Sequence, residues 1–259
     1  MRVFWSATKS SFVNFAAEYT VSLFISTAVP RYILQTVFFV LLARFAGGID
    51  LMRFAFIGNV VQIGVNLGLS NMAAIVESEK WLGTLPILIA APNNKLPALI
   101  GRGVAYMAQG LLSVLVALAG GALIFGSVFP IGRMLLTLPI IILIIITVTG
   151  LGLLIGAITL PTRIGSLVAN TTAYIMMIIC GVNFPVDALP GWLQQIAHIL
   201  PVTNGLIAVR QVIDGTNNEA TWFLLGYELL IGIIAFGIGY IVFEARLRAA
   251  QHRGTIELF

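Results

Sequence analysis

Apolar runs recur along this chain from residue 30 to residue 243, and they fix the solvent in which it can fold. Residues 134–160, for example, contain no charged side chain. In lipid no water satisfies backbone N–H and C=O groups, so only helices and closed barrels survive there. The runs are continuous rather than alternating, which selects helices over a barrel. Composition agrees. The chain is 59% hydrophobic and 9% charged, against roughly 25% charged in soluble domains. An all-α membrane protein is expected, organised as a single domain over residues 1–259 with no separate soluble domain.

Six spans can be counted near the ~20 residues that a bilayer requires: residues 30–46, 51–76, 96–125, 134–160, 164–182 and 222–243. Pro30 can open the first, because a helix tolerates proline in its first turn. Arg31 then snorkels to the headgroups. Ahead of the spans, Ser10, Ser11, Asn14 and Glu18 interrupt the apolar residues, which makes a poor signal-peptide core. Phe4, Phe12, Phe15 and Tyr19 fall near one helical face. They predict an amphipathic helix at the cytoplasmic surface.

Basic residues orient the spans. With both termini cytoplasmic, Arg2, Lys9, Arg31, Lys80, Lys95, Arg102, Arg163, Arg246, Arg248 and Arg253 lie inside, and Arg44, Arg53, Arg133 and Arg210 lie outside. The multi-pass chain then belongs in the inner or plasma membrane of the cell. The small net charge of +4 reflects this topology rather than a nucleic-acid partner.

That orientation puts residues 77–92, ESEKWLGTLPILIAAP, in the cytoplasm. Glu77, Glu79 and Lys80 are crowded together there in a chain with ten acidic and fourteen basic residues. A charged turn and short helix between two spans fits a docking element facing a cytoplasmic protein. On the other side, residues 183–221 are too apolar for a free loop, yet they are broken by Pro185, Pro190 and Pro201. Short helices after Pro190 and over residues 203–213 are expected, re-entrant or interfacial. Trp192 suits the interface.

Enzyme chemistry finds little footing. His198 and His252 fall on opposite sides, and no lysine follows a glycine, so the chain has no phosphate-binding loop of its own. Two histidines and the lone Cys180 make a structural metal site improbable, and a disulfide within the chain is impossible. Any work must draw on a partner or an ion gradient. Glu228 lies inside the sixth span. It reads either as a snorkelling residue or as part of a pathway. Asn59, Gln62, Asn66 and Ser70 share one face of span two, and Ser166, Asn170 and Tyr174 one face of span five. These faces either hydrogen-bond between helices or line a translocation route. Gly64/Gly68 and Gly152/Gly156 allow close helix packing.

The stretch Glu79-Lys80-Trp81-Leu82-Gly83-Thr84-Leu85, followed by Pro92, resembles the E-x-x-x-G-T-L…P element of type-two ABC exporter permeases. So does the outer segment running from Phe184-Pro185 through Leu189-Pro190-Gly191-Trp192-Leu193-Gln194 to Leu200-Pro201 and Arg210. Pro86 departs from the acidic residue more usual in the family, but it is compatible with the first turn of a helix capped by Thr84.

The resemblance implies a permease subunit without its own ATPase site, paired with a second permease subunit, alike or different. ATP and Mg would be bound by cytoplasmic ABC ATPase subunits. Glu77, Glu79, Lys80, Gly83, Thr84 and Leu85 would form the coupling element. The N-terminal helix would also contact the ATPase, and spans one, two and five would flank the route at the dimer seam. Few aromatic residues are available to stack on sugars. That favours a small amphiphile, drug or antibiotic over the alternative, a lipid-linked polysaccharide or teichoic acid. A reading of another class, a non-transporting scaffold, has no need of the polar stripe on span two.

Overall fold

The computed structural model describes residues 2–18, 20–81, 96–125, 131–162, 164–216 and 218–253. Its long elements are all helical, and no strand occurs among the described residues. In chain order they are α1 (Arg2–Glu18), α2 (Val29–Trp81), α3 (Leu96–Phe125), α4 (Ile131–Leu136), α5 (Leu138–Thr159), α6 (Gly165–Ile179), α7 (Gly191–Ile199), α8 (Thr203–Asp214) and α9 (Glu219–Arg253). An α turn at Val21–Leu23 and a π turn at Phe24–Ala28 lead into α2. Among the described residues, helices long and apolar enough to cross a bilayer number four, or five if the bent pair α7–α8 forms one span.

The α2 helix is two limbs joined at a break. Gly47 (φ −148°, ψ 19°) and Gly48 (φ 75°, ψ −155°) leave helical geometry. Gly48 occupies backbone space that side chains with a Cβ rarely enter. The limbs fold back on each other, because Arg31, Tyr32 and Gln35 of the first share a cleft with Gln62, Ile63 and Asn66 of the second. The sequence boundary between spans one and two falls at this break. The stretch predicted as span five is shorter than expected. Its helix, α6, has only 15 residues and ends in a turn at Cys180–Gly181, where Gly181 adopts φ 74°.

The central helix is α5, with α9 and the second limb of α2 packed along it. Its uncharged run satisfies every interior backbone group within the helix, and Pro139 falls in the first turn, where no N–H is needed. Close approach relies on small residues. A Cβ on Gly152 would lie 2.5 Å from the Leu69 carbonyl oxygen, and one on Gly239 would lie 2.8 Å from the Leu154 nitrogen. Dispersion and interhelical hydrogen bonds, rather than hydrophobic transfer, hold such contacts in lipid.

The N-terminal helix α1 lies on the start of α3, where Gly101 meets the Phe4 carbonyl, Ala7 and Thr8. Thr8 and Ser11 are buried, whereas Trp5 and Phe12 are exposed. The face that packs on the chain is therefore the small polar one, since only small side chains allow the helices to approach at Gly101. Phe12 of the predicted aromatic stripe points away from it. The side chain of Phe15 and all of Tyr19 lie outside the described residues.

Candidate functional site

The second limb of α2 and α6 meet through the polar residues singled out from the sequence. Asn66 Nδ2 donates to Asn170 Oδ1 at 3.2 Å, and Ser70 Oγ donates to the same oxygen at 3.3 Å. Gln62 Nε2 donates to the Ala173 carbonyl at 2.7 Å. The backbones can come this close because α6 buries a small-residue stripe, Gly165, Ala169 and Ala173, against α2. The two faces thus touch directly within one chain, by hydrogen bonds. Beyond the sequence-predicted set, Asn71 Nδ2 donates to Gln109 Oε1 at 3.0 Å on α3.

Both ends of this seam are tied. At one end, Glu77 Oε2 accepts from Ser166 N and from Ser166 Oγ, each at 3.2 Å. At the other, Asn59 Nδ2 donates to Asn183 Oδ1 at 2.8 Å and to the Ala55 carbonyl at 2.8 Å. Next to it a Cβ on Gly58 would sit 1.9 Å from the Val182 carbonyl oxygen. Asn183 was not anticipated, since it lies in a turn beyond any periodic pattern.

The seam opens onto a small cleft of mixed lining, to which Ile63, Leu67 and Met177 also contribute. Arg31, Tyr32 and Gln35 on the first limb line it together with Gln62, Asn66 and Tyr174. Tyr174 is 53% exposed. Gln62 is buried, yet its Oε1 has no hydrogen-bond partner. A buried unpaired amide oxygen costs about 1–3 kcal/mol. Sequence reasoning saw Arg31 only as a snorkelling cation. Its spacing of four from Gln35 was the available signal that both residues lie on one face.

The segment after α6 is built around two charged side chains, the half-buried Arg210 and the buried Glu228. At α8, Arg210 Nη2 donates to the carbonyls of Gly181 (2.8 Å), Val182 (3.2 Å) and Phe54 (3.3 Å). Its guanidinium also lies 3.3 Å from the Phe54 ring centroid, a stacked cation–π contact. One arginine so joins α8 to α2 and to the turn after α6.

Glu228 on α9 is fully buried and does not snorkel. Its Oε1 accepts from Val202 N at 2.6 Å and Thr147 Oγ1 at 3.0 Å, and its Oε2 accepts from Gly205 N at 3.1 Å. A carboxylate at the first turn of α8 satisfies N–H groups that the helix leaves open and complements its dipole. Val202, at φ 96°, is the non-glycine residue held in left-handed backbone space. It occupies the 89° bend between α7 and α8. Pro201 is buried beside it. Pro190 precedes α7, and Trp192 on α7 is exposed, so that helix turns an aromatic face outward.

Of the predicted coupling residues, Glu77 is placed as above. The side chains of Glu79 and Lys80, and all of Gly83, Thr84 and Leu85, lie outside the described residues.

No curated protein matches this chain. Residues 2–213, well over half of the chain, match the family described as ABC-2 type transporter. The chain is therefore a multi-pass membrane permease component that belongs to the ABC-2 type transporter family.

Proposed function

We propose that this chain is the permease half of an ATP-driven exporter of small amphiphiles, powered by a separate ATPase subunit. In this reading the two limbs of α2, α3, α5, α6 and α9 make six passes, with both termini cytoplasmic. Residues 77–92 dock on the ATPase, and a second permease subunit completes the route along the cleft of Arg31, Gln35, Gln62, Asn66 and Tyr174. ATP and Mg bind to the partner, not to this chain.

The observation that carries the reading is the continuous polar seam from Glu77 to Asn183. It begins at the edge of the segment expected to dock and runs through Ser166, Asn170, Asn66 and Gln62 along the cleft. Movement of the docking element would be transmitted to α6 through the Glu77–Ser166 contact. A scaffold requires neither the seam nor the unpaired Gln62 oxygen beside the cleft.

The test is substrate-stimulated ATP hydrolysis and vesicle transport by the assembled complex carrying Asn66→Leu. A route residue alters which amphiphiles stimulate hydrolysis while assembly stays intact. Lower thermal stability with unchanged specificity would reduce the seam to packing.

A further inference from the structure

The end of the bundle that carries α7 and α8 also carries two apolar grooves that the transport reading leaves unused. The first is walled by Leu136, Pro139, Ile140, Leu143, Val212, Trp222 and Leu225, with Thr221 as its polar residue, and has a volume of about 330 Å³. The second is walled by Leu115, Leu118, Ala119, Ala122, Met134 and Leu135 and has a volume of about 310 Å³. Both are in the size range of small-molecule sites. They flank the short helix α4, which gives Leu136 to one and Met134 and Leu135 to the other. Each runs inward from the helix ends at this face, along the last turns of α3 or the first turns of α5 and α9.

The mouth of the first groove is charged with both signs. Arg133 lies one helical turn before Leu136, and Glu219 lies one turn before Trp222, so each charge shares a face with an apolar wall residue. Both side chains are exposed. Arg133 Nη1 donates to the Ile213 carbonyl at 3.0 Å, next to Val212 of the wall, which fixes the guanidinium at the rim. Arg133 and Glu219 make no ion pair with each other. Opposite charges on the helix faces that wall the first groove, with a second apolar channel across α4, match a headgroup of both signs carried on two acyl chains.

We propose that the grooves on either side of α4 seat one zwitterionic diacyl phospholipid, its phosphate on Arg133, its ammonium on Glu219 and one acyl chain in each groove. The exposed rim residue Trp222, of a kind enriched at bilayer interfaces, stands beside the headgroup and reports on occupancy. Such a lipid would brace α4 against α8 and α9 and fill space that packing leaves open.

The test uses the full chain in vesicles of equal phosphatidylethanolamine and phosphatidylglycerol, with brominated acyl chains on one lipid or the other. The quenching lost on Trp222→Phe is the share that belongs to Trp222. That share should be about threefold greater with brominated phosphatidylethanolamine, the order expected of exposed charge contacts. Arg133→Gln should reduce it, and Glu219→Lys should turn the preference toward phosphatidylglycerol. Equal quenching by the two lipids, signifying bulk lipid only, would overturn the proposal. So would a preference for the anionic lipid in the unaltered chain.

Discussion

Glu77 and Ser166 join the last turns of α2 to the first turn of α6 through one carboxylate oxygen, which accepts from both the amide and the hydroxyl of Ser166 at 3.2 Å. The carboxylate caps one open N–H of the first turn of α6, that of Ser166, from a neighbouring helix. The contact lies two residues before Glu79 in the chain, so in the proposed reading force applied at residues 79–85 would reach the membrane helices here first.

Glu77→Ala removes the one acceptor of both bonds. The loss should cost about 1–3 kcal/mol of local stability. In the assembled exporter it should leave hydrolysis running while transport falls. Ser166→Ala, which keeps the amide donor, should show a smaller effect in the same direction. Paired assays of ATP hydrolysis and vesicle uptake separate the two variants.

Glu228→Leu should be the most damaging single change in α9. It strands Val202 N and Gly205 N in a buried site, at about 1–3 kcal/mol for each unsatisfied group, while Thr147 Oγ1 keeps its bond to the Ile144 carbonyl. Glu228→Gln retains an acceptor and should lose less. Thermal midpoints in detergent give the order: unaltered chain, then Gln, then Leu. A Leu variant as stable as the unaltered chain would show that the carboxylate is not the cap of α8.

Much of this architecture can be read from the residues alone, because lipid leaves few alternatives. Apolar runs with a helical polar stripe must be helices, and the stripe must face something polar. Asn59, Gln62, Asn66 and Ser70 were therefore expected to meet a polar helix face or a route, and only the fold gives α6 of the same chain as the partner of Gln62, Asn66 and Ser70. Pro190 and Pro201 marked the ends of α7 and the bend before α8. What stayed hidden depended on tertiary placement. Nothing local distinguishes a Glu228 that snorkels from one that caps a helix about two dozen residues earlier. Arg210 looked like a topological charge, yet it binds three carbonyls that only the fold assembles. The burial of Thr8 and Ser11 on α1, in place of its aromatics, follows from Gly101 on another helix.

Glycine substitutions test the packing. Gly58→Ala drives a Cβ into the Val182 carbonyl and should destabilise by about 1–3 kcal/mol. Gly237 on α9 has open space around its Cβ position. Gly237→Ala should stabilise by about 0.5–1 kcal/mol through helix propensity. Thermal unfolding followed by circular dichroism should move in opposite directions for the two.

The docking of this chain on an ATPase is most directly tested by purifying it from its own membranes in mild detergent and measuring Mg-dependent ATP hydrolysis. The account predicts that hydrolysis accompanies the chain and is lost with Gly83→Trp or with the charge reversal Glu79→Lys, while the variant chain stays folded and in the membrane. A chain that purifies with no hydrolytic subunit, or hydrolysis unchanged by both substitutions, would contradict it.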